Sequence, residues 1–455
     1  MNEVIQKAQH YEVEIIDMGE GGEGIGKIQD FTVFVPGVLL GDKVEIYLTK
    51  VKKNYGFGKL VRLITPSPYR TEAGCEKEAE CGGCQFQKLD YQKQLEWKRQ
   101  KVENCLKRIG KLEDVKIKPT LGMEIPYHYR NKAQYPIRRV EGKVEIGFFA
   151  AKSKQVVPVT DCLIQHPVNQ QIITCMKAFL GEYNISIYDE STHKGLARHL
   201  MIKTGYQAQD VMVCLVINGK TMPHSQVLVE RLKAIPEVKS IVLNHHMEKT
   251  PVILGKDCTV LYGSETITEQ IGKLKFKVSP LAFFQVNPLQ TEVLYQKALE
   301  YAALTGDEIV WDAYCGIGTI SLFLAQKAKK VYGVEIIPEA IENARENAKL
   351  NNLTNTEFYA GKAEEVIPNL YKEGIIADTI VVDPPRKGCD EKLLETLKAM
   401  APKKIVYVSC DPATLARDLA YLTKEAGYQV EEVQPVDMFP HTAHVECCVS
   451  LKKIK

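Results

Sequence analysis

The residues with the clearest chemical intent lie near the carboxyl end of the chain. Ile405-Val-Tyr-Val-Ser409 reads as a buried parallel strand that delivers Cys410-Asp-Pro412 to its end. A thiol there shares one row with Gly316, Glu335 and Asp383, each at the end of a strand. That placement favours a nucleophile over a small buried hydrophobe. The reaction that needs such a thiol beside a sulfonium methyl donor is methylation at carbon. C5 of uracil is a poor nucleophile, but thiolate addition at C6 makes an enolate that is nucleophilic at C5. A base must then remove the C5 proton so that elimination frees the cysteine. Glu446, opening an apolar strand after Phe439-Pro-His441-Thr-Ala-His444-Val, is the first candidate, with His441 and His444 as rivals.

A second group is Cys75-x5-Cys81-Gly-Gly-Cys84. Gly82 and Gly83 permit a tight wrap with backbone N–H groups turned inward. Three thiolates need a fourth, and Cys162 is the best distant candidate. Such a set can hold zinc or an iron–sulfur cluster. The single C-x2-C pair and the lone distant ligand favour a [4Fe–4S] cluster, with zinc as the alternative. The spacing departs from C-x3-C-x2-C, which speaks against radical S-adenosylmethionine chemistry.

The cofactor pattern is Asp312-Ala-Tyr-Cys-Gly316-Ile-Gly318-Thr, followed by Glu335 at the end of the next strand. The glycines allow a tight turn, and the acid can accept hydrogen bonds from both ribose hydroxyls. Ser321 stands where the third glycine of a dinucleotide motif belongs, so an S-adenosylmethionine pocket fits better than NAD. Asp383-Pro-Pro-Arg-Lys-Gly388 holds a carboxylate at the crevice rim. The Gln285 amide, in Phe283-Phe-Gln285-Val-Asn287, could reach the amino-acid end of the cofactor.

These residues need elements to hold them. From about residue 276, strands at 307–312, 331–335, 379–383 and 404–409 alternate with helices at 319–328, 338–350, 390–400 and 412–425. That alternation implies a doubly wound parallel sheet. Residues 10–65 read as short strands separated by glycine-rich turns, notably 19–26, and suggest a small barrel. Pro66-Ser-Pro68 marks a boundary. A helix over 91–109 follows the cysteines, and 125–275 is mainly strands with a few helices.

The 455 residues, 45% hydrophobic and 25% charged, suggest about three soluble domains. No apolar run approaches a membrane span, and the N-terminus lacks the apolar core of a signal peptide. The odd count of 13 cysteines then points to a reducing, cytoplasmic compartment. A net charge of +2 excludes a uniform basic coat. Two acid-free runs, 46–71 and 125–140, combine bases with aromatics: Tyr55, Phe57 and Tyr69 in the first, Tyr127, Tyr129 and Tyr135 in the second. Such runs suit phosphates and unpaired bases, although a solvated face reads the same way on charge alone.

With Ser-Cys410-Asp-Pro, His-Val-Glu446-Cys and the cysteine cluster in view, the chain resembles the RNA uracil-C5 methyltransferases that form 5-methyluridine. Within that family it is most similar to the bacterial 23S ribosomal-RNA branch, over nearly its whole length. The resemblance implies a multidomain protein: a TRAM-type, OB-like β-barrel over 1–64 that binds RNA, a central α+β domain over 65–275, and a class I methyltransferase domain over 276–455. It implies that helix 91–109 packs on that last domain. It implies S-adenosyl-L-methionine held by Gln285, Tyr314, Glu335 and Asp383, with Cys410 as nucleophile and Glu446 as base. It implies a [4Fe–4S] cluster on Cys75, Cys81, Cys84 and Cys162, and ribosomal RNA as partner without a membrane or protein partner. The tRNA branch typically lacks barrel and cluster, so tRNA is the alternative target. An RNA-binding protein with an idle methyltransferase domain, or a redox protein using the cluster, are the competing readings; intact Cys410 and Glu446 argue against the former.

Overall fold

The computed structural model describes residues 5–151, 153–159 and 161–454. Five strands, His10–Met18, Gly24–Ile28, Phe31–Val35, Lys43–Val51 and Tyr55–Thr65, close into a barrel. Alternate residues Val13, Ile15, Val33, Val35, Val44 and Ile46 fill its interior. The second strand falls partly inside the segment read as a turn. Its glycines serve close approach: a Cβ at Gly26 would lie 2.2 Å from the Val13 side chain. Phe86, Leu89 and Trp97 from the next segment complete this core, and the Trp97 indole donates to Asp17 Oδ1 at 2.8 Å.

The helix Tyr91–Cys105, capped by Asp90, runs on into a π-helical turn, Leu106–Gly110. Val102 and Leu106 enter the same core as Leu415 and Leu419 of the C-terminal region. Lys98, fully buried, donates to Asp437 Oδ1 at 2.5 Å and to the Phe439 carbonyl at 3.0 Å, while the Tyr91 hydroxyl donates to Asp437 Oδ2 at 2.9 Å. An early helix is thus built into the late domain.

The central region is a seven-stranded sheet in the spatial order Asp257–Gly263, Val238–His245, Val211–Ile217, Ala197–Thr204, Lys132–Val140, Lys143–Phe149, Val156–Pro158. Helices Val168–Glu182 and Ser225–Lys233 share its core. A two-stranded ribbon, Ile267–Ile271 with Leu274–Val278, leads to helix Pro288–Ala302.

The C-terminal sheet comprises β1 (Ile309–Ala313), β2 (Lys330–Glu335), β3 (Thr356–Ala360), β4 (Thr379–Val382), β5 (Lys404–Ser409), β6 (Tyr428–Val436) and β7 (Glu446–Lys453). Their order is β3-β2-β1-β4-β5-β7-β6. The first five are parallel, and β7 runs antiparallel to β5 and β6. β4 and much of β5 are buried on both faces, which is why they read as unbroken apolar runs. Helices Thr319–Ala325, Pro338–Leu350, Glu391–Met400 and Pro412–Lys424 occupy the expected intervals. Among the described residues, no helix is long and apolar enough to cross a membrane.

Candidate active site

The carboxyl ends of β1, β2, β4 and β5 carry Tyr314, Glu335, Asp383 and Cys410. Because β7 is reversed, its first residue, Glu446, lies at that same edge.

After β1 the chain turns through left-handed conformations at Tyr314, Gly316 and Gly318, with φ of 72°, 55° and 84°. The N–H groups of Tyr314 and Cys315 both donate to the Val334 carbonyl, at 3.0 and 2.9 Å, so the loop hugs β2. The Glu335 carboxylate is oriented by the N–H of Gly316 at 3.2 Å and of Ile337 at 3.0 Å. Ser321, in place of a third glycine, donates its hydroxyl to Asp312 Oδ2 at 2.5 Å. The other carboxylate oxygen of Asp312 is buried with no partner. Burial, then the charges of Asp383 and Glu335, push this carboxyl up to about 7 against the pull of Ser321. A buried, partnerless oxygen beside glycine-built backbone suits a cationic or hydrogen-bonding ligand.

Gln285 lies on the segment before helix Pro288–Ala302. Its carbonyl accepts from Asn131 Nδ2 at 3.1 Å, and Lys203 Nζ donates to the carbonyls of Ser279 and Ala282, both at 2.8 Å. The central sheet therefore braces this segment from behind.

Cys410 is half-buried between a strand end and a helix cap. Asp411 accepts the N–H groups of Ala413 and Thr414 at 2.9 and 3.0 Å, and Pro412 opens the helix. Ser409 pairs with Cys447, so Glu446 falls opposite Cys410. Burial, then Glu446 and Asp383, push the thiol up to about 12, and Arg386 opposes them. Burial and Asp383 likewise raise Glu446 to about 8, and burial raises Asp383 to about 7. Arg386, which the sequence reading left aside, is the cation facing this group. The two prolines before it were the available signal, because they stiffen the loop that carries it.

The rival bases separate from Glu446. His441 is buried, its backbone N–H donates to Gln94 Oε1 at 3.0 Å, and its ring stacks on Tyr127 at 4.8 Å. Burial pushes it down to about 4. Its carbonyl accepts the N–H groups of Gln85 and Phe86, making it a joint to the barrel-side segment. His444 meets Phe439 edge-on; loss of water contact, then Arg386, Lys101 and Lys98, hold it below the usual imidazole range.

Cys75, Cys81, Cys84 and Cys162 line one cavity of about 290 Å³, with Gln87, Arg130 and Phe148. None is in a disulfide. The Gly83 N–H turns to Cys81 Sγ at 3.4 Å, and the Gln87 amide to Cys84 Sγ at 3.6 Å. Burial pushes Cys84 up to about 12 and Cys162 up to about 11; neighbouring thiols add to both shifts. Among the described residues, however, no group of three or more His, Cys, Asp or Glu side chains converges as the ligand set of a metal ion. The structure gathers the four residues around one cavity, and neither a zinc site nor a cluster site is formed there by the described residues. The second basic run also needs correction. Tyr129 and Tyr135 are fully buried, with hydroxyls bonded to the Pro440 carbonyl and the Asn169 amide, so they are core residues.

The strand order, the tight loop after β1 and the oriented acid ending β2 define an S-adenosylmethionine-dependent methyltransferase of class I. Residues 90–454 match the tRNA (uracil-5-)-methyltransferase family model, and residues 6–61 match the TRAM domain. An RNA methyltransferase of Clostridium tetani is 53% identical, covering 98% of this chain and 96% of its own. One from Bacillus cereus (strain ATCC 10987 / NRS 248) is 50% identical, covering 100% and 99%. The crystal structure of Pyrococcus abyssi tRNA (uracil-54, C5)-methyltransferase with S-adenosyl-L-homocysteine superposes with a TM-score of 0.77 at 28% identity, over 97% of this chain and 100% of that one. The chain belongs to the RNA uracil-5-methyltransferase family.

Proposed function

We propose that this enzyme methylates C5 of a specific uridine in 23S ribosomal RNA through a covalent Cys410–C6 adduct, working in the cytoplasm. The observation that carries the mechanism is the register placing Glu446 opposite Cys410 at the rim shared with Asp383. Cys410 gives up its thiol proton to water as its sulfur adds to C6, and the C5–C6 electrons pass to C5 and the C4 oxygen. S-adenosylmethionine supplies the methyl group, and the C5–CH3 bond forms as the S–CH3 bond breaks. Glu446 takes the C5 proton, the C6–S bond breaks, and the thiolate is restored. Arg386 favours the thiolate and the ionised Glu446. Glu335 would hold the ribose hydroxyls of S-adenosylmethionine, Tyr314 and Gln285 would help hold the rest of it, and Asp383 would face its positive charge, which would offset the mutual repulsion of the acids.

A target in tRNA is the second reading, favoured by the likeness to the Pyrococcus abyssi tRNA (uracil-54, C5)-methyltransferase, which covers 97% of this chain. A barrel alone therefore does not separate the two. Incubation with radiolabelled S-adenosylmethionine and unmodified 23S or tRNA transcripts, followed by nucleoside separation, decides it. Label in 5-methyluridine from 23S transcript alone is the expected result. Label from tRNA alone replaces the target, and label in another nucleoside overturns the Cys410 mechanism. Cys410→Ala should bind both substrates without transferring methyl.

The four cysteines would hold a [4Fe–4S] cluster. A single zinc ion needs sulfurs about 2.3 Å from one point. An iron–sulfur core binds each thiolate at a different iron, so it tolerates sulfurs spread around a cavity. When bound, it would tie 75–84 to 162 as a structural cross-link. Anaerobic purification with iron, sulfide and zinc analysis tests this; one zinc per chain without iron overturns it.

A further inference from the structure

One stripe of the helix Tyr91–Cys105 is polar although it packs against the protein interior. Tyr91, Gln94, Lys98 and Lys101 recur at alternating steps of three and four residues, so they lie on a single face. Gln94 and Lys98 are fully buried. All four side chains end on one target, residues 437–445, the connection between β6 and β7 that leads into Glu446. The Tyr91 hydroxyl and Lys98 Nζ hold the two carboxylate oxygens of Asp437, and Lys98 Nζ also donates to the Phe439 carbonyl at 3.0 Å. Gln94 Oε1 accepts the His441 backbone N–H at 3.0 Å. Lys101 Nζ donates to the Ala443 carbonyl at 3.1 Å, and it pairs with Glu20 Oε1 of the barrel at 3.0 Å.

Connections normally run over the surface, because a buried one must satisfy its backbone polar groups without water. This one is buried at every residue but Phe439 and His444, and Ala443 belongs to the barrel core. The helix supplies the partners that water would otherwise provide. A buried amide and ammonium give a weaker hold than apolar packing of the same volume. Adhesion alone therefore does not account for the stripe. Directional bonds add a fixed path for the chain, and that path ends at Glu446, which pairs with Val436 at the mouth of the loop. Cys410 is fixed by other means, the end of β5 and the Asp411 cap. We infer that Gln94, Lys98 and Lys101 are positioning residues for Glu446, holding the connection 437–445 so that the carboxylate meets the C5 proton. They act on the second half of the reaction: the C5–H bond breaks, its proton passes to Glu446, its electrons restore the C5–C6 double bond, and the C6–S pair leaves with sulfur. The inference rests on the Cys410–Glu446 reading and makes release of methylated RNA depend on an early helix.

The test is single-turnover kinetics of the full-length protein with methyl-labelled S-adenosylmethionine and the transcript that the wild type methylates. Denaturing gels follow the rise and decay of the covalent protein–RNA species. Lys101→Met keeps the stem and removes the donor; it should slow decay about tenfold, and Gln94→Leu on the order of 10²-fold. Formation of the adduct and the KM for S-adenosylmethionine should stay within about twofold of wild type. Lys101→Arg should restore decay, because it still donates to the Ala443 carbonyl. Lys101 is partly exposed, so its variants inform even where Gln94→Leu misfolds. Ordinary decay in Lys101→Met, formation and decay falling in parallel, or Arg no better than Met would each overturn the positioning role. A persistent band in Glu446→Gln alongside such a result sinks this inference alone. No band in Glu446→Gln, or no methylation by the wild type on any transcript, sinks the functional reading instead.

Discussion

Glu446 stands one step beyond the Ser409–Cys447 pair, opposite Cys410, because β7 enters the sheet antiparallel to β5. A parallel strand there would carry its first residue to the far edge of the sheet. The reversed strand thus brings a thiol and a carboxylate, 36 positions apart in the chain, to one rim. If Glu446 removes the C5 proton, Glu446→Gln should permit addition and methyl transfer but block elimination. The expected outcome is a covalent protein–RNA band that persists in denaturing gels, with turnover lowered on the order of 10²-fold or more. Ordinary turnover without the band would assign the proton to another group, with His444 the next to examine.

The same group sets a pH dependence. In the free enzyme Glu446 is raised to about 8 and Asp383 to about 7. Below these values the base holds its proton and cannot accept another. kcat/KM for RNA should therefore rise between pH 6 and pH 9, with macroscopic inflections belonging to the coupled acids. Saturating S-adenosylmethionine brings a positive sulfonium to the rim, which favours the carboxylates, so the inflections should move to lower pH. A flat profile, or a shift to higher pH with cofactor, contradicts this arrangement.

Much of the C-terminal domain was legible because doubly buried strands such as 404–409 are continuous apolar runs bounded by chemistry-bearing residues. β6 was harder to see: Glu431 and Glu432 interrupt its pattern, and its register shifts between Val430 and Glu432. The barrel strand Gly24–Ile28 was obscured by glycines, whose small size serves strand packing as well as turns. The second aromatic run misled because sequence gives ring type without burial; Tyr129 and Tyr135 spend their hydroxyls inside. Cys410 and Glu446 each stand out in the sequence as candidates, but their mutual register does not, since it depends on the direction of β7. Arg386 was overlooked because its neighbours Asp383 and the prolines already accounted for the motif.

Lys98 and Asp437 illustrate a contact invisible to sequence, 339 positions apart and fully buried. Burial pulls the lysine down while Asp437 holds it up. Removing one partner leaves the other charge stranded. Lys98→Met should cost about 3–5 kcal/mol, and Lys98→Met with Asp437→Leu should recover much of it. Urea unfolding of the single and double variants measures both. Equal stabilities for wild type and Lys98→Met would mean that the helix Tyr91–Cys105 is held by its apolar face alone.

Glu269 gives a prediction of opposite electrostatic sign. Its carboxylate accepts from Asn131 Nδ2, which also donates to the Gln285 carbonyl, and from the N–H groups of Tyr206 and Gln270. Burial nevertheless dominates and raises it from 4.5 to about 7. The folded state therefore holds this proton more tightly than the unfolded chain. Its contribution is fully present below pH 4.5 and is lost as pH rises through 7, a cost of about 3 kcal/mol at higher pH. Glu269→Gln keeps a neutral group in place and should flatten that decline. Denaturant unfolding at pH 5 and pH 8 should show the variant gaining on wild type at the higher pH. A constant difference at both values would mean that Glu269 is ionised across the range and that the hydrogen bonds around it outweigh burial.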